Sequence, residues 1–92
     1  MNRSEFEAEA LAHGYAPPVE VQKEIGYQMG EHDHPFDAFA LIIAGQIDIG
    51  VAGLVSSYRV GEVFRLARQT RHTEAAVSQG VTYLAARRQT TT

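Results

Sequence analysis

The stretch Gly26-Tyr27-Gln28-Met29-Gly30-Glu31-His32-Asp33-His34, with the run from Asp37 to Ala44 that closes at Gly45, decides how this chain is read. On an extended backbone, side chains two apart point to the same side, so the His32 and His34 imidazoles can meet one ion or one ligand. The run behind them, Ala38-Phe39-Ala40-Leu41-Ile42-Ile43-Ala44, is apolar at every position. A strand that is apolar on both faces needs cover on both, so one face is expected to fill an interior and the other to lie under a helix or a partner chain. His72 falls in a later segment that reads as returning to the same sheet, which supplies a third nitrogen donor.

Outward from that stretch, most of the chain has the same texture. Val19-Glu-Val21-Gln alternates, Gln46-Ile47-Asp48-Ile49 alternates again, and Val51-Ala52-Gly53-Leu54 reads as a hairpin turn. Val55 to Val60, Val63 to Leu66, Thr73 to Val77 and Val81 to Leu84 complete a set of short β-rich segments. Many short strands at close spacing indicate a sandwich or barrel. The exception is the start, where Ser4 with Glu7 fits a capping box and Phe6, Ala10 and Leu11 form an apolar stripe ending at Gly14. A helix over 4–14 is expected, with Pro17 and Pro18 preventing its continuation. His13, near the helix end, reads as a partner of the helix dipole.

The bounds narrow the function. At 92 residues the chain is expected to be one domain, 1–92, with a barrel over 19–88 and a frayed tail over 89–92. A domain of this size gains by covering apolar surface against a copy of itself, so a homodimer is expected. There is no cysteine, which removes disulfide and thiolate chemistry. A net charge of −3 argues against a nucleic-acid partner, which needs a basic face. The longest apolar stretch is far too short to cross a bilayer, and the acidic N-terminus (Glu5, Glu7, Glu9) does not resemble a signal peptide, so no membrane partner and a cytoplasmic location are expected.

With these residues on the page, the chain resembles a small single-domain cupin. The family's first motif runs Gly, five residues, His-x-His, three or four residues, Glu, six residues, Gly; Gly26, His32, His34 and Gly45 fall in register with it. Its second runs Gly, five residues, Pro-x-Gly, two residues, His, three residues, Asn; Gly61 and His72 match. The resemblance covers roughly Val19 to Arg88. It implies an all-β fold, a double-stranded β-helix or jelly-roll barrel, here with a short N-terminal helix, and a divalent metal ion (Zn, Fe, Ni or Cu) held by His32, His34 and His72 at the barrel mouth.

The departures are as informative. Ala38 stands where the family places its metal-binding glutamate, and alternation sends the Asp37 side chain to the opposite face. Three histidines with open positions, rather than three histidines and a carboxylate, are therefore expected. Ala67 and Gln69 replace the proline and glycine of the second motif, so that turn is expected to form differently. Arg65, Arg68 and Arg71 recur just before His72 as the one local basic cluster; Arg65 and Arg71, with Tyr83, are the candidate contacts for a small, anionic ligand. Glu74, Tyr58 and Tyr83 are the candidate general bases, none placed by a motif. Two functions stay open: a metal-dependent enzyme, for which the resemblance implies oxygenases, isomerases and decarboxylases, and a metal-free sensor that binds a small ligand without catalysis. A third is a dimeric scaffold with vestigial histidines.

Overall fold

The computed structural model describes residues 1–89. One helix, α1 (Arg3–Ala12), precedes the strands β1 (Val19–Lys23), β2 (Tyr27–His32), β3 (Asp37–Val51), β4 (Leu54–Arg59), β5 (Val63–Leu66), β6 (His72–Ala76) and β7 (Val81–Arg88). Of the expected frayed tail, only Gln89 is described; 90–92 lie outside the described residues. No helix among the described residues is long and apolar enough to cross a membrane.

β3 is the strand on which the others assemble. Its first part pairs antiparallel with β7 (Asp37↔Arg88 to Gly45↔Val81) and with β5 (Ala38↔Leu66 to Leu41↔Val63). Its second part pairs with β4 (Gln46↔Arg59 to Val51↔Leu54) and with β6 (Asp48↔Ala75 to Gly50↔Thr73). β1 extends the first sheet through β7, and β2 extends the second through β6. Two antiparallel sheets, β1-β7-β3-β5 and β4-β3-β6-β2, thus share one strand. Ala40, Ile42, Phe64 and Val81 of the first and Ile47, Ile49 and Ala76 of the second form one buried cluster, which closes the sheets into a barrel.

The sequence reads Asp37–Ile43 and Gln46–Ile49 as separate strands, whereas they are one strand with a bend. The β3–β7 register shifts between Ile42 and Ala44, and Gly45 follows in the left-handed region at φ 74°. A Cβ at Gly45 would collide with the Gly80 carbonyl oxygen. The expected hairpin is present, with Ala52 and Gly53 at its tip, both at positive φ.

The helix answers what covers the outer face of β3. Phe6 and Ala10 are fully buried against Phe39, Leu41, Leu84 and Ala86, and the Phe6 and Phe39 ring centroids are 4.6 Å apart. Burying one such side chain contributes about 1.5–3 kcal/mol. Leu11, read as part of the apolar stripe, points to solvent. The helix also begins earlier than expected: Asn2, not Ser4, is the N-cap, its side chain accepting from the Glu5 N–H at 2.8 Å while the Glu5 carboxylate accepts from the Asn2 N–H at 2.9 Å. At the other end Arg88, rather than the His13 side chain, supplies the cation, donating to the His13 carbonyl at 2.9 Å and to Asp37 at 2.9 and 3.1 Å.

Two outcomes follow from this frame. Gly45→Ala adds a backbone collision to an unfavourable φ and should cost about 2–4 kcal/mol, read as a fall in Tm of roughly 10–20 °C, whereas Gly30→Ala, with open space around it, should leave Tm almost unchanged. The Arg68 N–H and the Arg88 guanidinium hold the Asp37 carboxyl below the usual carboxylate range. A depressed carboxyl pKa stabilises the fold above the unfolded value and stops doing so as pH falls through the folded one. The Tm gap between wild type and Asp37→Asn should therefore be full at neutral pH and close below about pH 4; a gap of constant size would contradict the pairing.

Candidate functional site

His32 closes β2 and His72 opens β6, directly opposite it in the antiparallel register. His34 lies just beyond β2, in the segment leading to β3. The three rings converge, with centroids 4.3 Å apart for His32 and His72, 4.9 Å for His32 and His34, and 5.2 Å for His34 and His72. Phe36 stacks on His34 at 4.9 Å and nearly parallel, fixing that ring from behind.

A carboxylate completes the group, against the expectation of three histidines alone. Glu74 is two residues after His72 on β6 and so shares its face; one ligand atom from each of His32, His34, His72 and Glu74 lies within 4.8 Å of the other three. Glu74 Oε2 stands 3.1 Å from His32 Nε2 and 3.0 Å from His72 Nε2. Ala38 lines the same cavity, while Asp37 points outward to Arg88 as alternation requires.

The hydrogen bonds on the far side of the rings determine which atoms are offered. His32 Nδ1 lies 2.7 Å from the Gly30 carbonyl and His72 Nδ1 2.9 Å from the Thr70 carbonyl. A carbonyl only accepts, so both Nδ1 atoms carry hydrogen, and in a neutral ring Nε2 then presents a lone pair. Two such lone pairs face one carboxylate oxygen, an arrangement that requires positive charge between them: protons on the rings or a bound cation. The Tyr27 hydroxyl donates to Glu74 Oε1 at 3.1 Å and holds the carboxylate in place.

Burial and neighbouring charges shift His34, Tyr83 and Tyr27 at this centre. Burial, then the charges of His32 and His72, lower the His34 pKa below the ordinary imidazole value, with Arg87 adding to the effect and Glu74 opposing it. Burial and the Glu74 charge push the Tyr83 hydroxyl up to about 12 and raise Tyr27 as well, so both phenols stay protonated.

The cluster opens into a cavity of about 200 Å³ inside the barrel. Phe36, Phe64 and Tyr83 form apolar wall, and the cations that line it are Lys23 and Arg87. A larger cleft of about 350 Å³ beside Gly45 and Gly80 has Lys23 and Glu24 as its only charged residues and no histidine.

Of the ligand contacts read from sequence, Tyr83 lines the cavity and Arg65 and Arg71 do not. Arg65 binds Glu9 at 2.9 Å and lies over the Phe39 ring on the helix side, and Arg71 binds Glu31 at 2.8 Å in solvent. The Arg68 N–H donates to Asp37. The cluster in sequence is thus dispersed: Arg65 lies on β5 and Arg71 in the exposed loop before His72, each with its own acidic partner. Tyr58 packs against the core beside Phe64, whereas Glu74 is at the centre of the site.

No family model matches the sequence, and no curated protein is similar to it in sequence. The solved structures do show likeness. A cupin superfamily protein from Desulfitobacterium hafniense DCB-2 superposes with a TM-score of 0.71 at 15% identity, over 80% of this chain and 67% of that one. A conserved protein of unknown function from Streptococcus pyogenes gives 0.68 at 19% identity, over 82% and 66%. The DMSP lyase DddQ from Ruegeria pomeroyi DSS-3 gives 0.70 at 18% identity, over 78% of this chain and 37% of that one. The chain therefore spans about two-thirds or less of these relatives' length. The chain has the cupin fold, as its motifs led one to expect.

The Tyr27–Glu74 contact yields a prediction. Tyr27→Phe frees the carboxylate without emptying the cavity, and losing a partner that orients a ligand typically costs 10–100-fold in metal affinity. If the cluster holds a metal ion, a competition titration with a chromogenic chelator should show that weakening, with Tm little changed.

Proposed function

We propose that the protein holds one divalent transition-metal ion through His32, His34, His72 and Glu74 and acts with it on a small molecule in the barrel, as a metal-dependent enzyme of oxygenase or isomerase type. The observation that supports this most directly is the pair of Nε2 lone pairs aimed at the same Glu74 oxygen. With both Nδ1 atoms engaged by backbone carbonyls, a metal ion satisfies all three groups at once. Three imidazoles and a carboxylate suit zinc, iron, nickel or copper, and the donor set contains no thiolate.

Such an ion would act as a Lewis acid or, if redox-active, support dioxygen chemistry. The chain's own residues do the rest. Tyr27 orients Glu74, Phe36 and Phe64 supply apolar wall, and Tyr83 presents a protonated hydroxyl into the cavity. Tyr83 is thereby suited to donate a hydrogen bond or a proton, and ill suited to act as a base. A lyase is among the enzymes that share this fold, which widens the reaction types worth assaying.

Elemental analysis of untagged protein, as purified and after reconstitution, tests the proposal. Close to one ion per chain is expected in the wild type, with loss in His32→Ala, His34→Ala and His72→Ala and weakening in Glu74→Gln. Occupancy should fall as pH drops below about 6.5, the ordinary imidazole value, because a protonated ring cannot coordinate. A wild type that takes up no metal at neutral pH would leave the metal-free ligand-binding barrel as the function; occupancy that stays level from pH 8 to pH 5 would exclude imidazole coordination.

A further inference from the structure

The two cations of the cavity are handled differently from most others in the chain. Among the described residues, Arg3, Arg65, Arg71 and Arg88 each meet a carboxylate. Lys23 and Arg87 meet none and lie over aromatic rings, with Lys23 Nζ 4.9 Å from the Tyr27 ring centroid and Arg87 Cζ 4.3 Å from that of Phe36. A shortage of acids is not the reason, since the chain has eleven Asp and Glu against eight Lys and Arg. The register shows how Arg87 is left without one: its cross-strand partner is Ala38, and side chains directly opposite on antiparallel strands share a face.

Arg87 lines the same cavity as His34 and Tyr83. With a divalent ion in place, the cavity would gather four positive charges, from the ion, Lys23 and Arg87, around the single carboxylate of Glu74. Arg87 is exposed and Lys23 partly so, and charges of like sign gathered at one cavity repel, which an anion relieves. The Tyr83 hydroxyl, with no hydrogen-bond partner among the described residues, is a further donor for it. The size is limiting too: about 200 Å³ is the space of roughly seven water molecules, too small for a nucleotide or an oligosaccharide.

We propose that the occupant of this cavity is a small dicarboxylic acid, bound as the dianion with one carboxylate directed to the metal centre and the other to Arg87, with Lys23 and the Tyr83 hydroxyl as further contacts. This rests on the metal reading above for its first carboxylate only. Arg87 can clamp a carboxylate through two parallel N–H donors, which a lysine cannot do, and the phenyl walls suit a short carbon chain between the charges.

The test is calorimetric titration of metal-loaded and chelator-stripped protein with malonate and succinate, and with succinamide as the uncharged analogue. Metal content is measured separately on wild type, Arg87→Gln and Lys23→Gln. The loaded wild type should bind at least one of the two acids and not succinamide. Arg87→Gln should weaken that binding about 10–100-fold, the effect of losing hydrogen bonds to a charged group, with Lys23→Gln weaker by less and metal content unchanged in both. Failure of both acids to bind the loaded protein, equal binding by wild type and Arg87→Gln, or equal binding of succinamide would overturn the proposal while leaving the metal centre standing. Conversely, Arg87-dependent binding of an acid by protein that never takes up metal would uphold the Arg87 subsite and refute the metal reading.

Discussion

The close approach of Gly45 to the Gly80 backbone is the constraint on which the rest of the structure depends. β3 serves two sheets, and it can do so only if it turns where one ends and the other begins. The register shift between Ile42 and Ala44 inserts a residue and the left-handed Gly45 turns the chain, with the Gln46 N–H accepted by the Gly80 carbonyl at 3.1 Å. The extra residue also changes the phase of alternation. Before the shift the even positions Ala40 and Ile42 face the barrel, and after it the odd positions Ile47 and Ile49 do. Unbroken alternation would have pointed Gln46 and Asp48 inward; instead Asp48 accepts from Ser57 and from Gln46 near the surface.

The site inherits its precision from this frame. β6 is held between β3 and β2, so His72 is fully buried, and its rotamer is set by the Thr70 carbonyl on one side and Glu74 on the other. β2, by contrast, has one neighbour, and its ladder with β6 is irregular between Met29 and His32. That irregularity brings His32 opposite His72 and lets its ring reach Glu74. The site thus combines one buried imidazole, fixed on both sides, with two half-buried ones.

Much of this was legible in the sequence, for reasons that can be named. His32, His34 and His72 announce themselves because histidines at spacing two and a return strand are local patterns, and the two glycines at fixed distances tie them to one fold. Glu74 reads from the sequence only as a candidate base, although His72-Thr73-Glu74 repeats the His-x-His spacing on the opposing strand, and period two carries the signal. The cavity cations were harder. Tyr83, Leu84, Ala85 and Ala86 are apolar on both faces, since one lines the barrel and the other lies under α1, so nothing tells which of Arg87 and Arg88 points inward. Asp37 decides it by pairing with Arg88 outside. Arg65, Arg68 and Arg71 mislead for the opposite reason: Arg65 lies on β5 and the other two in the loop that follows, where nearness in sequence does not dictate a common direction.

Ala38 and Glu74 together rearrange the charge of the cavity rather than merely relocating a ligand. The first cupin motif would place a carboxylate at position 38, directly across from Arg87, where the two would neutralise each other. With alanine there, the carboxylate comes from β6, beside His72 and hydrogen-bonded to Tyr27, and Arg87 retains its full charge at the mouth. A donor set of three imidazoles and one carboxylate is thereby kept, while the opposite wall changes from a closed ion pair to an open cation stacked on Phe36. The Ala38 side chain is also smaller than a glutamate and lines the same cavity as the three histidines and Arg87. The same substitution that weakens the motif in the sequence thus leaves Arg87 without a carboxylate across the strand pair.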